Sequence, residues 1–281
     1  MDAAGPSTAP RKNNNCLEIR TVQAVAFKVL VEALKELLTD TSIEFDDTGM
    51  KIVAMDSSHV VLVHLKLDAG KFEMYHCDGR IGIGINMLNL HKLIKTINNN
   101  DTLTLYIDAD DVNHLCIKIE NNEKNSRTTY KLNLLDLDHQ NITVDPTDFI
   151  DVVTLPSTDF QKICRDMHNL AECMEIKSIH NQLIFGCKGD FCCQETIICD
   201  NDDGCDNSGG KGGGGSSSCG GDDRSGEIVQ GIFSIKHLVL FTKCTNLCST
   251  MELYLKNDYP LIIKYDVSSL GSIRLALAPQ N

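Results

Sequence analysis

Tyr130-Lys131-Leu132-Asn133-Leu134-Leu135-Asp136-Leu137-Asp138, continuing through Asn141-Ile142-Thr143-Val144-Asp145-Pro146, lies near the middle of a chain of 281 residues. Its first half alternates apolar and polar residues, the period of a strand with one buried face. Its second half carries acids, Asn, Thr and a Pro, the composition of an exposed connector. Helical patterns of the same kind lie on either side, so the stretch reads as a joint between two related halves.

Helices are expected over Val22–Leu38, Asn86–Ile97, Asp159–Met167 and Ile235–Thr245, with Ser157 or Thr158 capping the third. All four fit one template of core-facing positions a, a+3, a+4 and a+7. These are Leu30, Ala33, Leu34 and Leu37 in the first helix and Leu90, Leu93, Ile94 and Ile97 in the second. The third supplies Phe160, Ile163, Cys164 and Met167, and the fourth, more loosely, Leu238, Phe241, Thr242 and Thr245. Position a+5 is basic each time: Lys35, Lys95, Arg165 and Lys243. At 3.6 residues per turn it lies ~140° round from position a, facing away from the core. Lys92 and Lys162 add a cation at a+2, and Lys28 and Lys236 precede Lys35 and Lys243 by two turns. Strands are expected between the helices, the last before the fourth helix over Phe191–Ile198, with Asp46-Asp47-Thr48-Gly49 as a turn between two of them.

The chain has 26 Lys and Arg against 39 acids, a net charge of -13. Spread evenly, that balance excludes binding to phosphates, which requires Lys and Arg. The common helix frame concentrates cations on one kind of surface, so the charge is not spread evenly. Thirteen cysteines, with no apolar leader or membrane-length apolar run, predict an intracellular protein with reduced thiols. Cys187, Cys192, Cys193, Cys199, Cys205 and Cys219 lack the paired spacing of a zinc site, so no metal or other cofactor is expected. Lys211-Gly212-Gly213-Gly214-Gly215-Ser216 lacks the residue order of a phosphate loop, and no catalytic constellation stands out. The expected organisation is a tail over 1–15, a first domain over 16–134, a connector over 135–151, and a second domain over 152–281 with a Gly-rich insertion at 200–226.

Met55-Asp56-Ser57-Ser58-His59-Val60, Leu135-Asp136-Leu137-Asp138, Phe160-Gln161-Lys162-Ile163-Cys164-Arg165-Asp166, Phe241-Thr242-Lys243 and Leu277-Ala278-Pro279 together resemble the proliferating cell nuclear antigen family of sliding clamps. The resemblance runs in register from about Val22 to Pro279. It implies an α+β clamp fold: two similar domains, each with two helices packed on antiparallel sheets, closing head to tail into a homotrimeric ring. The function implied is that of a non-enzymatic polymerase processivity factor encircling double-stranded DNA without regard to sequence, in the nucleus or a viral replication compartment. The alternative is a clamp-fold scaffold that binds replication partners without encircling DNA.

On the resemblance, Lys28, Lys35, Lys92, Lys95, Lys162, Arg165, Lys236 and Lys243 would meet DNA. DNA polymerase and other replication proteins would insert peptides into a groove lined by Met55, His59, Val60, Leu62, Ile142, Val144, Pro260, Ala276, Leu277, Ala278 and Pro279. A clamp loader belongs among the partners the family allows. Tyr130 and Phe191 would lie at the subunit interface, where the edge strand near Arg127–Asn133 meets that near Phe191–Ile198 of a neighbour. Two departures stand out: Ala276 replaces a common aromatic, and His180 stands where many members carry a lysine that is modified.

Overall fold

The computed structural model describes residues 14–137, 142, 151–179, 182–199 and 229–280. Most of the expected tail and connector, the Gly-rich insertion, Val144 and His180 lie outside the described residues. The chain divides into two compact units. Among the described residues it is an α+β protein of antiparallel strands with four α-helices.

The first unit contains β1 (Asn15–Thr21), α1 (Ala24–Leu37), β2 (Asp40–Asp46), β3 (Gly49–Met55) and most of β4 (Val61–Asp68). It continues through β5 (Met74–Cys77), β6 (Ile81–Asn86), α2 (Met87–Ile94), β7 (Asp101–Asp108), β8 (Asp111–Asn121) and β9 (Ser126–Asn133). One sheet runs in the order β5, β1, β7, β8, β9, and the strands β4, β3, β2 and β6 are neighbours in that order. The expected β2–β3 turn is held by Asp46, whose Oδ1 accepts from the Thr48 amide at 2.8 Å while Oδ2 takes the Lys51 ammonium at 2.6 Å. Those bonds, Lys51 first, hold the Asp46 carboxyl well below the usual carboxylate range. Gly49 sits at φ +142, and a Cβ there would fall 2.0 Å from the Leu67 carbonyl oxygen, so no other residue fits.

The second unit contains β10 (Asp151–Pro156), α3 (Ser157–His168), β11 (Cys173–Ile179), β12 (Gln182–Lys188), β13 (Cys193–Cys199) and β14 (Val229–Ser234). After these come α4 (Ile235–Phe241), β15 (Thr250–Leu255) and most of β16 (Leu261–Val267) and β17 (Gly271–Leu277). A sheet in the order β13, β12, β11, β14 and a run β10, β15, β16, β17 supply its strands.

Several expectations change. β1 includes Asn15, placed in the tail by sequence, and neither β1 nor β14 was anticipated. α3 starts at Ser157 itself, whose buried hydroxyl has no hydrogen-bond partner among the described residues, so it is not the side-chain cap. Pro156 supplies the extended residue before the helix, and the Ser157 amide donates to the Ser249 carbonyl at 2.9 Å. The fourth helix ends at Phe241 and tightens into a 3-10 turn over Thr242–Asn246. There the Thr242 hydroxyl donates back to the Val239 carbonyl at 2.7 Å.

The template positions are core positions. Leu30, Ala33, Leu34 and Leu37, then Phe160, Ile163, Cys164 and Met167, are all buried. Leu90, Ile94 and Ile97 are buried and Leu93 half-buried. Each large apolar side chain removed from water contributes about 1.5–3 kcal/mol. Tyr265 of β16 is fully buried, its hydroxyl has no partner among the described residues, and burial raises its pKa well above the ordinary value. An unsatisfied buried hydroxyl costs about 1–3 kcal/mol. Tyr265→Phe keeps the ring and removes that cost. Calorimetry should show the melting temperature rising by about 2–4 °C, whereas a fall would reveal a partner for the hydroxyl.

Candidate nucleic-acid interface

In the first unit, α1 and α2 pack against each other and bury their apolar stripes. Lys92 and Lys95 are exposed. Lys35 is only 18% exposed along its side chain and pairs with Glu36. Lys28 is half-buried, and its Nζ donates to the Ile97 carbonyl at 2.7 Å, tying α1 to the turn after α2. Its ammonium therefore already fills a structural role, which periodicity did not reveal. Asn86 caps α2, its Oδ1 accepting from the Asn89 amide at 2.9 Å.

In the second unit, α3 packs against α4 and the 3-10 turn. Lys162, Arg165 and Lys236 are exposed. Arg165 Nε lies 4.0 Å from Asp166, too far for a strong pair. Lys243 is exposed but sits in the 3-10 turn, so the 3.6-residue frame that selected it does not describe its backbone. Here the tie between helices is Gln161, whose Nε2 donates to the Thr242 carbonyl at 3.2 Å.

The groove residues separate by unit. In the second unit the Ala278 amide donates to the Val60 carbonyl at 3.1 Å, bringing these two segments side by side. His59 is exposed in a left-handed backbone conformation at φ 56, and Val60, Leu62, Pro260, Ala276, Ala278 and Pro279 are half-buried. Leu277, expected to line the groove, is fully buried; strand alternation turns it into the core. In the first unit Met55 is exposed at the end of β3, and Ile142 is half-buried.

Among the described residues, β9 and β13 are each the outer strand of a sheet. Tyr130 is half-buried on β9. Phe191 is not on a strand: it projects, 79% exposed, from the turn before β13 that is closed by the Gly189 amide on the Cys192 carbonyl at 2.9 Å. Among the described residues no cluster of His, Cys, Asp or Glu is arranged to hold a metal ion.

His91 on α2 was not singled out by sequence. Burial lowers its pKa below the ordinary 6.5, Lys35 and Lys95 lower it further, and Glu32 and Glu36 oppose them. A histidine with a depressed pKa is protonated first in the unfolded chain as pH falls, so its contribution to stability declines below about 6.5. The His91 ring should titrate below 6.5 in an NMR pH series, and Lys35→Gln should move the midpoint upward. An unmoved midpoint would place Lys35 too far away to act.

Comparisons with known proteins bear on the whole chain. The N-terminal domain family of proliferating cell nuclear antigen matches residues 16–141, and its C-terminal domain family matches residues 143–211 and 222–280. A probable DNA polymerase sliding clamp 1 of Paramecium bursaria Chlorella virus 1 is 35% identical over 95% of this chain and 98% of its own length. The proliferating cell nuclear antigen of Chaetomium thermophilum is 32% identical over 94% of this chain and 98% of its own length. That of Caenorhabditis elegans is 29% identical over 94% and 96%. With both domain families matched in order and cations exposed on the helices of both units, the chain belongs to the proliferating cell nuclear antigen family of DNA sliding clamps.

Proposed function

We propose that three copies of this chain close head to tail into a ring around double-stranded DNA and act as the processivity factor of a DNA polymerase. The observation that carries this reading is the exposure of Lys92, Lys162, Arg165 and Lys236 on helices whose other faces are buried, with Lys95 exposed at the end of α2, in a chain of net charge -13. Contacts to phosphates fix position without reading bases, which suits a protein that slides. Lys35 and Lys243 join this lining. Lys28 contributes field rather than a free ammonium, because it is bound to the Ile97 carbonyl.

Ring closure would pair the outer edge of β9 with the outer edge of β13 on the next copy, with Tyr130 packed at the joint and Phe191 beside it. DNA polymerase and other replication proteins would dock peptides against Met55, His59, Val60, Leu62, Ile142, Val144, Pro260, Ala276, Ala278 and Pro279. With Ala276 small, an aromatic anchor would find more room there. No chemical step is assigned to the chain, and a clamp loader is compatible with the assembly. No helix among the described residues is long and apolar enough to cross a membrane. The place of work would be the nucleus or a viral replication compartment.

Light scattering should give three times the monomer mass at micromolar concentration. Tyr130→Ala should raise the dissociation constant of the assembly about tenfold, the loss of one packed aromatic. Replacing Lys35, Lys95, Arg165 and Lys243 together by Glu should abolish DNA-stimulated processivity while the trimer persists. The same reversal at Lys71, Lys118, Lys177 and Lys256 should have little effect. Wild-type DNA binding should weaken with salt at a log–log slope of ~0.9 per phosphate contact. Equal loss in both quadruple variants would refute the helix assignment. A trimer that supports partners but never retains DNA would favour the scaffold alternative.

A further inference from the structure

We propose a second peptide-docking site in the first unit, where an extended segment of a partner protein adds as a strand to the outer edge of β6. The segment would carry aliphatic residues alternating with Lys or Arg.

β6 pairs with β2 on one side only, residue for residue from Asp40 opposite Asn86 to Phe45 opposite Ile81. On its other side, among the described residues, it meets a single bridge: the Leu135 amide donates to the Gly84 carbonyl at 2.8 Å. In an antiparallel sheet a residue directs its N–H and C=O to the same side, and residues two apart share that side. The Gly84–Leu135 bond thus shows that Gly82, two residues earlier and exposed, also directs its amide and carbonyl outward. These groups face a cavity of about 530 Å³ that lies wholly within the first unit. The cavity adjoins the Gly84–Leu135 bridge, so an incoming strand would lie beside that bridge, at the outward groups of Gly82.

The walls select the side chains of that strand. Ile81, Ile107, Val112 and Leu135 line the cavity, with Val112 57% and Leu135 37% exposed. Apolar area of this kind, beside an unpaired edge, is where strand addition gains affinity from the backbone and selectivity from alternate side chains. The charged lining residues are Asp78 and Asp136, and no Lys or Arg lines the cavity. Among the described residues Asp78 pairs with the imidazole of His76 at 3.2 Å and with no Lys or Arg, and the nearby Arg80 is drawn to Glu44 at 2.8 Å. The carboxylates therefore favour a cationic residue beside the aliphatic one. Glycine at 82 adds no side chain on the edge that a partner backbone must approach. The site shares no residue with the groove assigned above, so its success or failure is separate from that of the ring and its groove.

The test uses the full chain, isotope-labelled, and an acetylated, amidated pentapeptide alternating arginine and valine, at 150 mM salt to suppress diffuse attraction. Saturable shifts of the Gly82 and Gly84 amides are expected, with a pentapeptide alternating glutamate and valine binding at least tenfold more weakly. Gly82→Pro, which removes the outward amide, should weaken the arginine peptide at least tenfold. If that variant fails to fold, the double variant Asp78→Lys/Asp136→Lys should show the same loss for the arginine peptide and a gain for the glutamate peptide. Equal binding of both peptides, or shifts elsewhere, would overturn the proposal. So would protection of the Gly82 amide from exchange in the free protein, which would mean that another part of the chain covers the edge. A concentration-dependent mass above the trimer that Gly82→Pro abolishes would identify the occupant as a second copy instead.

Discussion

What each helix hides determines what it can display. A buried stripe such as Leu30, Leu34 and Leu37, or Phe160, Ile163 and Met167, contributes several kcal/mol. An exposed charge pair contributes at most about 1 kcal/mol. Packing therefore sets the rotation of each helix, and the cations follow from it. The basic residues need no attraction of their own to stay outermost; turning them inward would expose the core. This is how a strongly acidic chain holds basic surfaces in fixed places.

The two units reach similar helix pairs by different chemistry. In the first, an α1 lysine bonds the Ile97 carbonyl, while in the second an α3 glutamine bonds the Thr242 carbonyl. The Ile97 carbonyl lies past the end of α2, where intrahelical donors run out, and the Thr242 carbonyl lies where α4 passes into the 3-10 turn. In the first unit this takes an ammonium from the exposed face. The repeat is thus one of packing, with charge distributed unequally over it.

The parts legible in sequence were those governed by period. The four helices and their buried positions could be read because i, i+3, i+4 spacing is local. β1 and β14 could not: one follows an Asn-rich run and the other a Gly-rich one, and strand pairing is decided by distant residues such as Met74–Cys77 and Cys173–Ser178. In the fourth helix the period was right but the backbone was not, because the Thr242 hydroxyl competes for a carbonyl. Ser157 looked like a cap by composition, yet Pro156 and the Ser249 carbonyl had already set the helix start. Leu277 was assigned to a surface by its neighbours in sequence, and strand alternation turned it inward. His91 and the role of Lys28 had no sequence signal, since both depend on which helix lies beside which.

The alternation along β13 places the thiols of Cys193 and Cys199 on exposed positions of an edge strand. A bare edge can be paired and unpaired many times, whereas a sulfur–sulfur bond between two such edges would last until it is reduced. The chain therefore has chemical reporters on a strand that is outermost in its sheet among the described residues. Their rate of alkylation measures how much of the time that edge is uncovered, and air oxidation of purified protein would fix whatever contacts happen to form there.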